Sequence, residues 1–149
     1  MPKIEPIVLI EDDPEDKEIF EEVMKLIGMP NPLVWLQNAA EAHEYLKTTT
    51  DKPFLIVSDI NLPGQSGIQF KKQIDGEEEL RKKSIPFIFY STTSNQKTIN
   101  EAYADMTVQG FYQKGNNLAE IKEQLQIIFQ YWQSCKHPNF FINQAPKTS

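Results

Sequence analysis

Cysteine, histidine and long apolar runs are scarce in this chain, and each shortage excludes a class of protein. The 149 residues include one cysteine, Cys135, so no internal disulfide can form, as is typical of a reducing compartment. Two histidines, far apart in sequence, argue against a metal site built on imidazole. No apolar run approaches the ~18 residues of a membrane span. The first residues lack the apolar core of a signal peptide. The expected location is therefore the cytoplasm.

Positive charge is also in short supply, since the net charge is −6 at neutral pH. Nucleic acids and anionic membranes both require a basic surface, so the composition argues against either as the main partner. A hydrophobic fraction of 40% and a charged fraction of 24% are ordinary for a globular protein. The length suits one domain. We expect that domain to occupy residues 1–135, followed by a C-terminal tail at 136–149 and no output domain.

Five short apolar runs recur along the chain, and a segment of helical periodicity follows each one. The runs occupy residues 7–10, 33–36, 54–58, 87–90 and 108–113. Apolar runs without alternation are typical of strands buried on both faces. Helical crossovers between such strands imply that the strands are parallel. The sequence therefore predicts an α/β fold, a doubly wound five-stranded parallel sheet with helices on both faces. A charged run at 77–83 is interpreted as solvent-exposed surface.

Polar side chains follow these runs at the point where each strand ends. In chain order they are Glu11 and Asp12, then Asp59, then Ser91 and Thr92, and finally Lys114. Because parallel strands point the same way, their carboxyl ends meet at one edge of the sheet, where ligands bind. We expect these groups to share one cleft. Asp13 is instead interpreted as the cap of the first helix, with Pro14 at its first position.

Several carboxylates in one cleft repel each other and raise each other's pKa unless a cation joins them. Carboxylate oxygens without nitrogen or sulfur ligands suit a hard divalent ion, and Mg²⁺ is the expected one. Lys114 adds a compact and mobile positive charge. A carboxylate beside Mg²⁺ and a lysine can accept a phosphoryl group, because both cations offset its negative charge. Asp59 is the predicted chemical centre.

Over residues 5 to 130 these motifs resemble the receiver domain of response regulators. The features that carry the resemblance are the acidic pair Glu11 and Asp12, the run from Asp59 to Pro63 with Gly67, Pro86 before the fourth strand, Ser91, and Gly110 and Phe111 leading to Lys114. The resemblance implies a flavodoxin-like sheet with strand order 2-1-3-4-5. It also implies a single-domain phosphoacceptor of a two-component phosphorelay, with no enzymatic role beyond its own phosphotransfer and dephosphorylation.

The resemblance assigns a role to each site residue. Asp59 would be the phosphoacceptor, and Asp12 and Asp59 would bind Mg²⁺. Glu11 would contribute to the metal mainly through a water, and the backbone carbonyl of Asn61 would be a further ligand. Ser91 and Lys114 would bind the phosphoryl group. Two more residues complete the set: Phe111 as the aromatic that swings inward when Ser91 moves, and Thr92 at the border of the site.

The resemblance also implies partners. The phosphoryl donor would be a histidine kinase, of phytochrome type or hybrid, since the Asn-Leu-Pro loop and the aromatic last helix are similar to the small regulators of phytochrome-type kinases. The output would pass by protein contact through the face formed by the fourth predicted helix, the fifth strand and the last helix. Ile127 and Tyr131 lie off the main stripe of that last helix, and the tail contains Phe140, Phe141 and Ile142. Exposed apolar groups of this kind favour a contact surface, to a kinase or in a homodimer.

One departure and two alternatives stay open. The family usually has proline after the lysine, often in a cis bond, whereas Gly115 follows here, which leaves the turn less rigid.

One alternative is a Mg²⁺-dependent phosphohydrolase with an aspartyl-phosphate intermediate. Such enzymes generally need a second acid two residues after the nucleophile, and that position holds Asn61. The other alternative is a receiver-like binding module that is never phosphorylated. The intact set of acids, serine and lysine argues against it.

Overall fold

The structure, a computed structural model, describes residues 4–92 and 95–135, apart from the side chain of Asp105. The strands are β1 (Ile7–Ile10), β2 (Leu33–Leu36), β3 (Leu55–Ser58), β4 (Phe87–Ser91) and β5 (Gly110–Gln113). The helices are α1 (Pro14–Ile27), α2 (Ala39–Thr48), α3 (Gly67–Gly76), α4 (Glu78–Arg81), α5 (Gln96–Asp105) and α6 (Leu118–Ser134). Strand and helix alternate along the chain, as the sequence predicts, with α4 as an addition. The tail residues Phe140, Phe141 and Ile142 lie outside the described residues.

The sheet has five strands in the order β2-β1-β3-β4-β5, and every neighbouring pair is parallel. This arrangement confirms the predicted flavodoxin-like topology. The order changes direction between β1 and β3, so the loops that follow these two strands leave the sheet on opposite sides of a crevice. The site-forming ends of β1, β3, β4 and β5 all lie at the same edge.

Each strand sends alternate side chains into two separate cores, because successive residues of a strand point to opposite faces. Val8 and Ile10 of β1 join the core beneath α2, α3, α4 and α5. Ile7 and Leu9 join the core beneath α1 and α6. The helices contribute apolar stripes to these cores, as Phe20 and Val23 do in α1. Helices therefore cover both faces of the sheet, as expected for strands buried on both sides.

Helix α4 was not expected, because its sequence lies in the charged run at 77–83. Most of that run is exposed or half-buried, but Leu80 is only 5% exposed and packs into the core beneath α2 and α3. A single apolar residue anchors one helical turn, while its charged neighbours point to solvent. The interpretation of the whole run as solvent-exposed surface was wrong at this residue. With α4 included, the fourth predicted helix is α5, and the predicted last helix is α6.

None of the helices in the described part of the chain is long and apolar enough to cross a membrane.

Helix α3 begins in direct contact with the end of β3, and Gly67 makes this approach possible. The Gly67 N–H donates to the Ile60 carbonyl at 2.8 Å. A Cβ atom at Gly67 would lie 2.2 Å from the backbone oxygen of Asp59. That distance is far below van der Waals contact, and a backbone atom cannot rotate away. A side chain at residue 67 would therefore push α3 away from the loop that carries Asp59.

We predict that Gly67→Ala lowers the free energy of unfolding by about 2 kcal/mol, the cost typical of overpacking. Urea unfolding measures the change. Gly76→Ala is the matched control, since this glycine ends the same helix and nothing lies within 4 Å of the added Cβ. The control should be neutral or slightly stabilising, because alanine is the better helix former. Equal destabilisation by both variants would contradict the close-approach explanation.

A buried lysine ties α3 to the loop before β5. Lys71 is 5% exposed, and its Nζ donates to Asp75 Oδ1 at 2.8 Å and to Thr107 Oγ1 at 3.0 Å. Asp75 Oδ2 also accepts the Thr107 N–H at 2.9 Å. Burial favours the neutral acid, but the bonds from Lys71 and Thr107 outweigh it and hold the pKa of Asp75 below its usual 3.8. The ion pair lies within α3, and its bonds to Thr107 join α3 to the loop between α5 and β5.

We predict that Asp75→Asn lowers the free energy of unfolding at pH 7 by about 3 kcal/mol, because it leaves the buried Lys71 ammonium without its counter-charge. The pH dependence follows from the lowered pKa of Asp75. Its contribution is complete above the unfolded-state pKa of 3.8 and is lost as the pH falls through the lower folded-state pKa. Urea unfolding of both proteins between pH 3 and pH 7 tests this, and a difference that grows toward acid pH would contradict it.

Candidate functional site

Asp59 lies at the carboxyl end of β3, between the ends of β1 and β4. Its backbone N–H donates to the Ile10 carbonyl at 2.9 Å, which extends the β1–β3 pairing by one residue. The residue is only 8% exposed. A carboxylate at this depth needs hydrogen bonds or a cation to offset its lost hydration.

Both oxygens of the Asp59 carboxylate have partners. Oδ1 accepts the Ile60 N–H at 2.7 Å, the Asn61 N–H at 3.2 Å and the Ser91 hydroxyl at 2.7 Å. Oδ2 lies 3.3 Å from Lys114 Nζ. The side-chain partners come from the ends of β4 and β5, so the parallel sheet alone brings them to the acid. The arrangement gives both carboxylate oxygens hydrogen-bond partners and fixes the orientation of the carboxylate.

Lys114 is the charge centre of the site. Its Nζ donates to Glu11 Oε1 at 2.6 Å and to Asp16 Oδ2 at 3.0 Å, in addition to Asp59. Burial by itself would lower the pKa of Lys114, but the hydrogen bond to Glu11 and the charges of Asp59 and Glu11 outweigh it and raise that pKa. The lysine is therefore fully protonated at neutral pH, and its one ammonium group contacts three carboxylates.

Glu11 is the most deeply buried of these acids, at 3% exposure. Burial raises the pKa of its carboxyl to about 7, although the bond and charge of Lys114 act in the opposite direction. Its Oε2 accepts the Asp13 N–H at 3.2 Å, and its carbonyl accepts the Trp35 indole N–H at 2.7 Å. These contacts hold the end of β1 in place. A further positive charge beside Glu11 would favour its ionised form.

Three acids fit the donor set of a divalent metal. Glu11, Asp12 and Asp59 each offer a carboxylate oxygen, and these oxygens lie within 4.8 Å of one another. Glu11 and Asp59 are buried, whereas Asp12 is exposed and leaves a side open to water. Oxygen ligands with an open side suit Mg²⁺, which keeps several waters when it binds.

The structure brings most of the predicted site residues together. Glu11, Asp12, Asp59, Ser91 and Lys114 share one cleft, as described above. Their individual roles stay predictions. The expected capping role of Asp13 is confirmed, since its Oδ1 accepts the Glu15 N–H at 2.9 Å at the start of α1.

Three predicted residues lie around the edge of this group. Asn61 contacts Asp59 through its backbone N–H, so the predicted metal-binding role of its carbonyl stays a prediction. Thr92 is exposed just beyond β4. Phe111 lies on β5 and is partly buried, with its ring centroid 5.9 Å from that of Phe89.

Sequence reasoning missed Asp16 as a member of the site. In the sequence it is one of several acids in the first turn of α1, where negative charge is favourable in any helix. Only the fold shows that this turn lies beside the end of β5, which puts the Asp16 carboxylate on the Lys114 ammonium. The spacing of acids after β1 was the available signal, and it does not distinguish Asp16 from its neighbours.

Two response regulators are similar to this chain in sequence. The chain is similar to the response regulator Rcp1 of Synechocystis sp., with 26% identity over 136 residues that cover 88% of this chain and 89% of Rcp1. It is also similar to the chemotaxis protein CheY-3 of Vibrio cholerae, with 29% identity over 125 residues that cover 83% of this chain and 91% of CheY-3.

Solved structures give the same result. The crystal structure of the phosphorylated cyanobacterial phytochrome response regulator RcpA has a TM-score of 0.82 and 27% identity, covering 91% of this chain and 99% of RcpA. The Mn²⁺-bound form of Rcp1 has a TM-score of 0.79 and 25% identity, covering 90% of this chain and 99% of that one. The family model of the response regulator receiver domain matches residues 7–126. The chain therefore belongs to the response regulator receiver domain family, and phytochrome response regulators are among its relatives.

Proposed function

We propose that this chain receives a phosphoryl group on the Asp59 carboxylate from the phosphohistidine of a histidine kinase. The observation that carries the proposal is the convergence of the Ser91 hydroxyl and the Lys114 ammonium on Asp59, at 2.7 Å and 3.3 Å. A hydroxyl and an ammonium group beside a carboxylate suit the oxygens of a phosphoryl group attached to it. Residues 1–135 act as the receiver unit in this proposal.

In this proposal Mg²⁺ is bound by the side chains of Glu11, Asp12 and Asp59 and by the backbone carbonyl of Asn61. When bound, Mg²⁺ neutralises part of the negative charge that the carboxylate and the incoming phosphoryl group share. The separation of the three acids, within 4.8 Å, and the open side at Asp12 support this assignment.

The transfer is an in-line displacement. An Asp59 carboxylate oxygen forms the new bond to phosphorus, and the phosphorus–nitrogen bond of the phosphohistidine breaks, with its electron pair returning to the imidazole. Lys114 and Ser91 bind the equatorial oxygens as they pass. The two backbone N–H groups of Ile60 and Asn61 hold the carboxylate in a fixed orientation during the attack.

Asn61 also bears on the phosphohydrolase alternative. Rapid hydrolysis of the aspartyl phosphate requires a group that activates water, and a second acid two residues after the nucleophile generally supplies it. Asn61 has no acidic side chain, and its backbone N–H contacts Asp59 at 3.2 Å. The chain is thus a phosphoacceptor whose turnover is limited to its own transfer and slow dephosphorylation.

In this proposal the signal passes to a protein partner through the face formed by α5, β5 and α6. In the unphosphorylated arrangement the Ser91 hydroxyl is bonded to Asp59 itself. A phosphoryl group on Asp59 offers this hydroxyl a new acceptor, and movement of Ser91 opens space for Phe111, whose ring is already packed near Phe89. The phosphoryl group favours the new state only by its differential contacts.

Exposed apolar side chains on the output face support a protein partner. Tyr103 of α5 and Ile127 and Tyr131 of α6 are 53%, 51% and 60% exposed. We assign this face to contact with the kinase or with a second copy of the chain. The similarity to a phytochrome response regulator at 27% identity supports a phytochrome-type kinase as the donor.

We predict that acetyl phosphate and Mg²⁺ add one phosphoryl group to the wild-type chain, measured by intact mass, and none to Asp59→Asn. Asp13→Asn is the matched control, because this nearby acid caps α1, a role that asparagine also fills. The control should be labelled like the wild type. Labelling of Asp59→Asn would overturn the proposal, and so would a wild-type chain that is not labelled and does not bind a beryllofluoride mimic. Rapid multiple turnover would favour the phosphohydrolase.

We also predict that Mg²⁺ stabilises the folded chain through Asp12. A metal at 100 times its dissociation constant adds about 2.7 kcal/mol to the free energy of unfolding when it binds only the folded state. Asp12→Asn should lose most of this gain, while Asp13→Asn should keep it. Thermal unfolding with and without Mg²⁺ is the measurement, and an equal gain in both variants would remove Asp12 from the metal site.

A further inference from the structure

One carboxamide on α6 holds the backbone on both sides of Lys114. Gln124 Nε2 donates to the Gln113 carbonyl at 2.7 Å, and Gln124 Oε1 accepts the Gly115 N–H at 3.0 Å. The orientation of the amide follows from its partners, because a carbonyl can only accept and a backbone N–H can only donate. The peptide segment of Lys114 is therefore bracketed by two bonds to a single side chain.

The same carboxamide also connects this loop to β4. The Tyr90 hydroxyl donates to Gln124 Oε1 at 2.6 Å, and the Lys114 N–H donates to the Ser91 carbonyl at 2.8 Å. Tyr90 is 5% exposed, and burial raises the pKa of its hydroxyl to about 12, which keeps it a neutral donor. Gln124 thus joins the loop that carries Lys114 to the strand that carries Ser91.

Gly115 is what lets the loop lie this close to α6. A Cβ atom at residue 115 would lie 2.7 Å from Glu120 Cβ and 3.1 Å from the Ile121 nitrogen. Residue 115 must also keep its N–H to bond Gln124. Proline would add atoms where none fit and remove the donor. The departure from the usual lysine–proline sequence is therefore matched by a contact that the sequence motif does not contain.

We propose that Gln124 is a positioning residue for Lys114, fixing the loop so that the ammonium is aimed at Asp59 and at the phosphoryl group. The inference rests on the proposed role of Lys114 in phosphoryl binding. Gln124 itself does not contact Asp59; it acts through the backbone of the lysine. Loss of its two loop bonds leaves the ammonium in the site but with a wider range of positions, which slows a transfer that depends on alignment.

The test compares Gln124→Met with Gln130→Met. Methionine keeps the length of the side chain and removes its hydrogen bonds, and Gln130 is an exposed glutamine of the same helix. The first readout is amide hydrogen exchange at Gly115, measured by NMR. We expect exchange about fivefold faster or more in Gln124→Met, the factor that loss of one net hydrogen bond gives. Unchanged exchange, or the same increase in Gln130→Met, would overturn the proposal.

The second readout is the initial rate of phosphoryl uptake from acetyl phosphate with Mg²⁺, in a double-mutant cycle with Lys114→Gln. If Gln124 acts through Lys114, Gln124→Met slows uptake by about fivefold to tenfold in the wild-type background and changes it little when Lys114 is already replaced. An equal loss in both backgrounds would show a general structural effect and would overturn the positioning role.

The two readouts separate this inference from the proposed function. If the wild type takes up no phosphoryl group, the proposed function fails, and Gly115 exchange still decides whether Gln124 fixes the loop. If uptake occurs but Gln124→Met neither slows it nor exposes the Gly115 amide, the proposed function stands and the inference about Gln124 fails.

Discussion

The Lys114 ammonium is the interaction on which the rest of the site depends. Glu11 and Asp59 are 3% and 8% exposed, and two ionised carboxylates at that depth would repel each other and lose most of their hydration. Lys114 lies within 3.3 Å of both and also contacts Asp16. Since the lysine and the acids come from different strands and a helix, the parallel sheet must form before this charge balance exists. The charge balance of the site therefore depends on the fold.

This balance also bears on the proposed phosphoryl transfer. A phosphoryl group would bring negative charge to a place already rich in carboxylates, so the proposed transfer would need cations that can change partners. Lys114 is suited to that change because its three acceptors are separate side chains and its ammonium is compact and mobile. A metal at Glu11 and Asp12 would take over part of what the lysine now does for Glu11. The Asp16 carboxylate would remain to orient the ammonium.

The sequence predicted a parallel α/β sheet and the central residues because both follow from short-range patterns, whereas the strand order came from the resemblance to receiver domains. Apolar runs locate strands, helical crossovers make them parallel, and parallel strands bring Asp59, Ser91 and Lys114 to one edge. Other features depend on how closely elements approach in space, which a single sequence does not encode locally. Leu80 is buried within a charged run, Asp16 is one acid among several, and Gln124 has no motif around it. The burial of Leu80 and the contacts of Asp16 and Gln124 could not be predicted, because they depend on which elements meet in space.

The two glycines of the site show why a departure from a motif need not weaken it. Gly67 lets α3 contact the backbone of Asp59, and Gly115 lets the Lys114 loop contact α6, each where a Cβ atom would lie below 3.0 Å from its neighbour. In the first case the glycine belongs to the family motif, and in the second it replaces the usual proline. A proline stiffens a turn by restricting its own backbone. Here the turn is held instead by a neighbouring helix, through bonds that require the N–H that proline lacks.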